Sequence, residues 1–252
     1  GCNPMVIVPN NALVCRPTRV ISDLHLFCTR SNADDHMEAI FDAAREAEVF
    51  ILNGDIFDFR WSNVGNAHAT ARAAVEWLHE LVQSNPACEF HYILGNHDSV
   101  PEHVEALTRF AHRTSNFSWC PYFVRMGDAL FLHGDVAHRK MDSQDLARAR
   151  RRATRHRRKG EVLNRVYDKA FEIGVHKAIL KAASPTEAVV RRLRHYIDSI
   201  DHGPGTGTRR IYFGHTHVAV DGHHDRGLTY YNCGAPLAGL KFNILETDVY
   251  SC

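Results

Sequence analysis

The sequence predicts a mixed α/β fold with an inserted helical cap. Three observations predict it. Early in the chain, short apolar runs rich in β-branched and aromatic residues alternate with runs of helical periodicity; later runs are punctuated like hairpins; and the long segment between "HGD" and "GHTH" holds no convincing strand.

The first strand is "RVISDLHL". In "DDHMEAIFDAAREAEV", Met37, Ile40, Phe41 and Ala44 recur at helical spacing, and "VFILNGD" returns to a strand. "AHATARAAVEWLHELVQSN" then places Ala74, Leu78, Leu81 and Val82 on one helical face before "FHYILGNHD". This βαβαβ order implies parallel strands, right-handed crossovers and ligands at the carboxyl ends of the strands. "PYFVRMGDALFLHGD" and "LTYYNCGAPLAGLKFNILETD" carry hairpin punctuation, so the sheet structure is expected to be mixed. In the inserted segment Leu163, Val166, Ala170, Ile173, Lys177 and Leu180 describe one helix. "SPTE" supplies a capping box for another, with Ser184 as N-cap, Pro185 at the first position and Glu187 three residues after the cap. That helix carries Val189, Leu193, Tyr196 and Ile200, and "DHGPGTGTRR" ends it. The expectation is one domain over residues 1–252 with a cap insertion at about 137–205.

At 252 residues and 44% hydrophobic content the chain can fill a substantial core. No apolar run reaches membrane-spanning length and "GCNPMVIVPN" lacks the regions of a secretion signal, so the expected address is cytoplasmic. Seven scattered cysteines without a CxxC pair are expected as reduced thiols. The +1 net charge conceals segregation: residues 139–159 hold ten Lys or Arg against two Asp, so +8 sits there and −7 elsewhere. Such a surface is suited to an anion.

Five apolar runs stop at Asp, His or Asn beside or near Gly: "RVISDLHL", "VFILNGDIFD", "YILGNHDS", "ALFLHGD" and "RIYFGHTHV". Strand ends converge in a sheet, so Asp23, His25, Asp55, Asn96, His133, His215 and His217 can meet at one edge. If the backbone stays extended in "DLH" and "HTH", both side chains of each pair project to one side, whereas Asn96 and His97 point apart. Oxygen and imidazole donors without thiolates suit Mn, Fe, Co, Ni or Zn better than calcium or magnesium. Seven ligands exceed what one catalytic ion needs and suit two, with one carboxylate bridging, a recurring device for phosphate ester hydrolysis.

The ordered set Asp23-Leu-His25, Gly54-Asp55-Ile-Phe-Asp58, Gly95-Asn96-His97-Asp98, His133-Gly-Asp135 and Gly214-His215-Thr-His217 resembles the motif set of the calcineurin-like metallophosphoesterases. The resemblance implies two mixed sheets packed face to face, flanked by helices. It implies one metal on Asp23, His25, Asp55 and His217 and a second on Asp55, Asn96, His133 and His215, with manganese the first expectation. A bridging hydroxide would attack phosphorus while His97 serves as general acid or hydrogen-bond donor. Asp98 is expected to orient His97, and Asp58 and Asp135 to organise ligands or backbone.

The insertion, "ISDLHL" and "GDIFD" also resemble a subgroup containing the UDP-diacylglucosamine hydrolases, with His97 standing where those enzymes carry Arg. That resemblance implies a phosphodiester or pyrophosphate in a nucleotide-linked or lipid-linked substrate. A nuclease, a phosphomonoesterase or protein phosphatase, and an inactive scaffold are the alternatives. Arg148, Arg152 and Arg155 of the basic helix are candidate substrate contacts, and its face could instead meet anionic lipid, placing the protein at the inner face of a membrane. Nucleic acid is the weakest partner, since no nucleic-acid motif is present. "FDFRWSN" can present Arg60 and Trp61 to a base or sugar; Trp61 serves equally as a packing residue and stays outside the candidate site. His138 is a further candidate contact by its proximity to the site in sequence.

Overall fold

The computed structural model describes residues 6–7, 14–155 and 186–251. Its strands are β1 (Val6–Ile7), β2 (Val14–Ile21), β3 (Val49–Asn53), β4 (Glu89–Ile93), β5 (Phe117–Cys120), β6 (Phe123–Met126), β7 (Ala129–Leu132), β8 (Arg210–Phe213), β9 (Val220–Asp225), β10 (Leu228–Asn232) and β11 (Leu245–Ser251). The helices are α1 (Met37–Glu46), α2 (Ala67–Gln83), α3 (Pro101–Arg113), α4 (Ser143–Arg155) and α5 (Thr186–Ser199). One sheet has the order β11-β2-β3-β4-β5 and the other β1-β6-β7-β8-β10-β9. Both are mixed. β2 to β5 are parallel and β11 runs antiparallel to β2; β7, β8 and β10 are parallel, with antiparallel neighbours β6 and β9.

Alternation along the strands builds four layers. Phe50 and Leu52 of β3, with Phe90 and Tyr92 of β4, turn outward onto α1, α2 and α3. Their neighbours Val49, Ile51 and Ile93 turn inward and meet Ala129, Phe131 and Tyr212 of the facing sheet. On the far side, Leu130, Leu132, Ile211 and Phe213 pack against Val189, Leu193, Tyr196 and Ile197 of α5. A period of two explains both faces, because successive strand side chains point oppositely and each face is buried. The two mixed sheets flanked by helices are the architecture that the motif resemblance implied.

Three local expectations change. β10 and the run ending in β11 do not form a hairpin: they join different sheets, and β10 pairs antiparallel with β9 instead. Arg226 and Gly227 make that turn, both at positive φ (45° and 84°), the backbone of a tight two-residue connection without the usual Asn-Gly signal. α3 and β5 add a further helix and strand beyond the expected βαβαβ run; Pro101 opens α3 at its first turn, and Ala106, Leu107 and Phe110 form its buried face. Within the expected cap, α5 covers the outer face of the six-stranded sheet and so completes the sandwich. The Leu163–Leu180 stripe, Ser184 and Pro185 lie outside the described residues. Among the described residues no helix is long and apolar enough to cross a membrane. Cys15, Cys28, Cys88, Cys120 and Cys233 are thiols rather than disulfides.

Candidate metal centre

Every motif sits just past the carboxyl end of a strand. β2 runs into Asp23 and His25, β3 into Asp55, β4 into Asn96 and His97, β7 into His133, and β8 into His215 and His217. The fold brings these ends to one edge of the sandwich. Asp23, His25 and His217 form one group with ligand atoms within 4.8 Å of one another; Asp55, His133 and His215 form another. Asn96 joins the second, its Oδ1 3.2 Å from His133 Nε2.

The extended backbone expected in "DLH" and "HTH" is not what aligns these pairs. Asp23, His25, Asp55, His215 and His217 all have left-handed φ, at 54°, 48°, 51°, 66° and 57°. Non-glycine residues rarely hold that conformation, and clusters of it mark places where surrounding structure imposes the geometry. Here the imposing contacts are visible. Asp23 N–H donates to Gly54 O and His25 N–H to Asp55 O, each at 3.0 Å, so the first loop is zipped onto the second. His215 N–H donates to both Asp23 carboxylate oxygens (3.0 and 2.9 Å), and His97 N–H donates to Asp55 Oδ1 at 2.8 Å. The approach leaves no room for side chains at the glycines between: a Cβ on Gly95 would overlap the Asp55 carboxylate, and one on Gly214 that of Asp23.

Neighbouring acceptors decide which ring nitrogen His133 and His25 offer. Asn53 O, which can only accept, lies 3.2 Å from His133 Nδ1 and so fixes the proton there, leaving Nε2 to face Asp55 Oδ2 at 3.2 Å. Asp58 Oδ2 holds His25 Nδ1 at 3.0 Å in the same way, and His25 Nε2 then faces His217 Nε2 at 3.1 Å. His217 Nε2 is 3.5 Å from Asp23 Oδ1. His215 Nε2 is buried with no hydrogen-bond partner. His138 packs edge-on to His215, with ring centroids 5.0 Å apart.

Electrostatics agree with this donor set. Burial disfavours the Asp55 carboxylate, yet His133, His97 and His25 outweigh it and hold its pKa well below the usual range; Asp23 is lowered similarly by His217 and His133. Burial, followed by the His133 charge, pushes His215 down to about 3, so it is a neutral imidazole. Burial also lowers His217 despite Asp23. Ionised carboxylates, neutral imidazoles at His215 and His217, and two ring nitrogens facing each other fit divalent cations of the first transition row, while His133, raised to about 10 against burial by Asp55, would release its proton to a cation that replaced it.

His97 turns away from Asn96 and toward the other side of the cleft. Its Nδ1 lies 3.1 Å from Asp58 Oδ2, and its ring is edge-on to His25 at 4.9 Å. Burial and the nearby Arg60 charge disfavour its imidazolium, but Asp58 and Asp55 outweigh them and raise its pKa to about 9. The expectation that Asp98 orients His97 is corrected by these contacts. Asp98 Oδ1 accepts from Gly95 N–H (2.6 Å), and Oδ2 accepts from Tyr92 O–H (2.6 Å) and Ile56 N–H (3.2 Å), which shapes the loop and leaves the ring to Asp58.

Arg148 and Arg152 lie on the exposed face of α4, where Arg148 pairs with Asp145 at 2.9 Å, and Arg155 ends the helix. The arginine that turns inward is Arg150, four residues after buried Leu146 and therefore on the same helical face; it grips Asp135 with two hydrogen bonds. That spacing was the signal available in the sequence.

The family model for calcineurin-like phosphoesterases matches residues 17–219, which includes every motif described above. No curated protein matches the chain. With the match spanning most of its length and the strand-end residues gathered into paired clusters, the chain belongs to the calcineurin-like phosphoesterases, metal-binding hydrolases that act on phosphoric esters.

Proposed function

We propose that the protein uses two divalent cations to cleave a phosphodiester or pyrophosphate bond in a nucleotide-linked substrate, of the UDP-diacylglucosamine type or another nucleotide diphosphate. The observation that carries the reading is the pair of adjacent donor clusters, with His215 Nε2 buried without a partner and the Nε2 atoms of His25 and His217 facing each other at 3.1 Å. Asp23, His25, Asp55 and His217 would hold one cation and Asp55, Asn96, His133 and His215 the other. Cations bound there, manganese in this reading, supply Lewis-acid charge and acidify water.

The chain's own groups do the rest. Asp58 fixes His97 through Nδ1 and so presents Nε2 outward, and the Asp58 and Asp55 carboxylates keep a proton on the ring at neutral pH. His97 is thereby equipped to donate to the leaving oxygen. Asp98 acts on the same loop from below, fixing the Gly95 and Ile56 amides that set the height of Asn96 and Asp55. The reading takes the whole chain as one domain with an insertion at about 137–205, whose exposed arginines Arg148 and Arg152, with Arg155, attract an anionic substrate or lipid headgroups.

The test is hydrolysis of bis(4-nitrophenyl) phosphate by manganese-loaded protein, with metal content measured on the same sample. Asp55→Ala is expected to lose both bound metal and turnover. Full activity in that variant would sink the reading.

A further inference from the structure

The loop after β3 carries a cation that the mechanism above leaves unused. Asp58 Oδ1 accepts the backbone N–H groups of Arg60 and Trp61, at 2.9 and 2.8 Å, while Oδ2 holds the rings of His25 and His97. Phe59 N–H donates to the His97 carbonyl at 3.3 Å, so Asp58 and Phe59 both fasten the start of this turn to His97. The Arg60 guanidinium stands 5.7 Å from the Trp61 ring, and that of Arg30 stands 4.7 Å from the same ring. One indole thus carries two cations. The Asp58 carboxylate faces the histidines, and among the described residues Arg60 forms no ion pair. Its Nε is closed off from solvent without a hydrogen-bond partner. A guanidinium N–H kept dry with no acceptor is costly in isolation and is relieved by an anion.

We propose that Arg60 is a substrate-positioning residue that grips a second phosphate, on the leaving-group side of the bond being cut and next to His97. The inference rests on the hydrolase reading above. Arg60 shares its anchor, Asp58, with His97 rather than with the Asp55–His133–His215 cluster, so an anion it holds lies on the side where His97 donates. Trp61 fixes the plane of the guanidinium, whose fork matches phosphate oxygens two at a time. A leaving group bearing its own phosphate is therefore favoured over a neutral one.

The experiment measures equilibrium binding, so it does not depend on turnover. Manganese-loaded wild type, Arg60→Gln and Arg60→Lys are titrated calorimetrically with uridine monophosphate and with the non-hydrolysable α,β-methylene analogue of uridine diphosphate, with metal content checked before and after. Arg60→Gln is expected to weaken the diphosphate by about tenfold or more and the monophosphate by less than about threefold, with Arg60→Lys between. Diphosphate affinity within about threefold of wild type in Arg60→Gln, or equal losses for both nucleotides, overturns the proposal. A wild type that hydrolyses no diester defeats the hydrolase reading and this proposal with it, whereas an active wild type whose diphosphate affinity does not depend on Arg60 defeats this proposal alone.

Discussion

Replacing Arg150 by Met removes one half of a buried ion pair that ties α4 to the loop after His133. The Arg150 and Asp135 side chains are 8% and 10% exposed. Nε and Nη2 of Arg150 donate to the two Asp135 oxygens at 2.8 and 2.9 Å, Nη1 reaches the Pro121 carbonyl, and the guanidinium lies 5.3 Å from the Tyr122 ring. Burial alone would raise the Asp135 carboxyl, but the Arg150 charge and hydrogen bonds outweigh it and hold it below its ordinary value. Without Arg150 that carboxylate is buried and unpaired, which costs about 3–5 kcal/mol. For a chain of this length the loss corresponds to a fall of about 6–20 °C in melting temperature. Urea unfolding of chelated protein measures it. The sign of the pH dependence follows from linkage: in the variant burial without Arg150 leaves the folded pKa of Asp135 above its unfolded value, so the folded state takes up a proton and the deficit shrinks as the pH falls from the folded pKa toward the unfolded one. Asp135→Leu combined with Arg150→Met should recover most of the loss, since no charge is then stranded. A single variant within about 1 kcal/mol of wild type at neutral pH, or a deficit that grows on acidification, refutes the reasoning.

His97→Ala should lower kcat by about 10²- to 10⁴-fold with metal content unchanged; unaltered turnover removes its role as proton donor. Gly214→Ala sets a Cβ against the Asp23 carboxylate and Ser22, and should cost about 1–3 kcal/mol and weaken metal binding, read by unfolding and by elemental analysis. Wild-type stability with full metal occupancy would mean the loops have slack. His103 is fully buried among Phe57, Phe59 and Tyr92, and burial pushes its pKa down to about 3. Its unfolded value is near 6.5, so the unfolded chain binds the extra proton between those limits and stability falls as pH drops, by about 4–5 kcal/mol at the lower limit. His103→Leu should flatten the stability-against-pH curve over that window, and an unchanged slope would show that the ring is not the titrating group.

The donor residues were legible because each follows an apolar strand run, and a sheet converts such positions into neighbours without any long-range information. Layering was legible only through the motif resemblance, because Val49, Phe50, Ile51 and Leu52 form a continuous apolar run, buried on both faces, whose composition does not say which side chain meets which layer. Pairings between distant segments were not legible. The choice of Asp58 over Asp98 as the holder of His97 depends on which carboxylate the turn after β3 swings into the cleft, and adjacency in "GNHD" favours the wrong one. β10 similarly looks continuous with the run leading to β11, yet β9 captures it through the Arg226-Gly227 turn. α3, by contrast, carries a readable helical stripe and a proline start, so its signal is present in the sequence.

The left-handed backbone at Asp23, His25, Asp55, His215 and His217 means that much of the donor geometry is written into main-chain torsions. Transplanting these amino acids onto another scaffold would therefore fail unless both sheet edges travelled with them. An ion arriving at this rim meets a chelator already cast, and folding, rather than coordination, has done the work of arranging it.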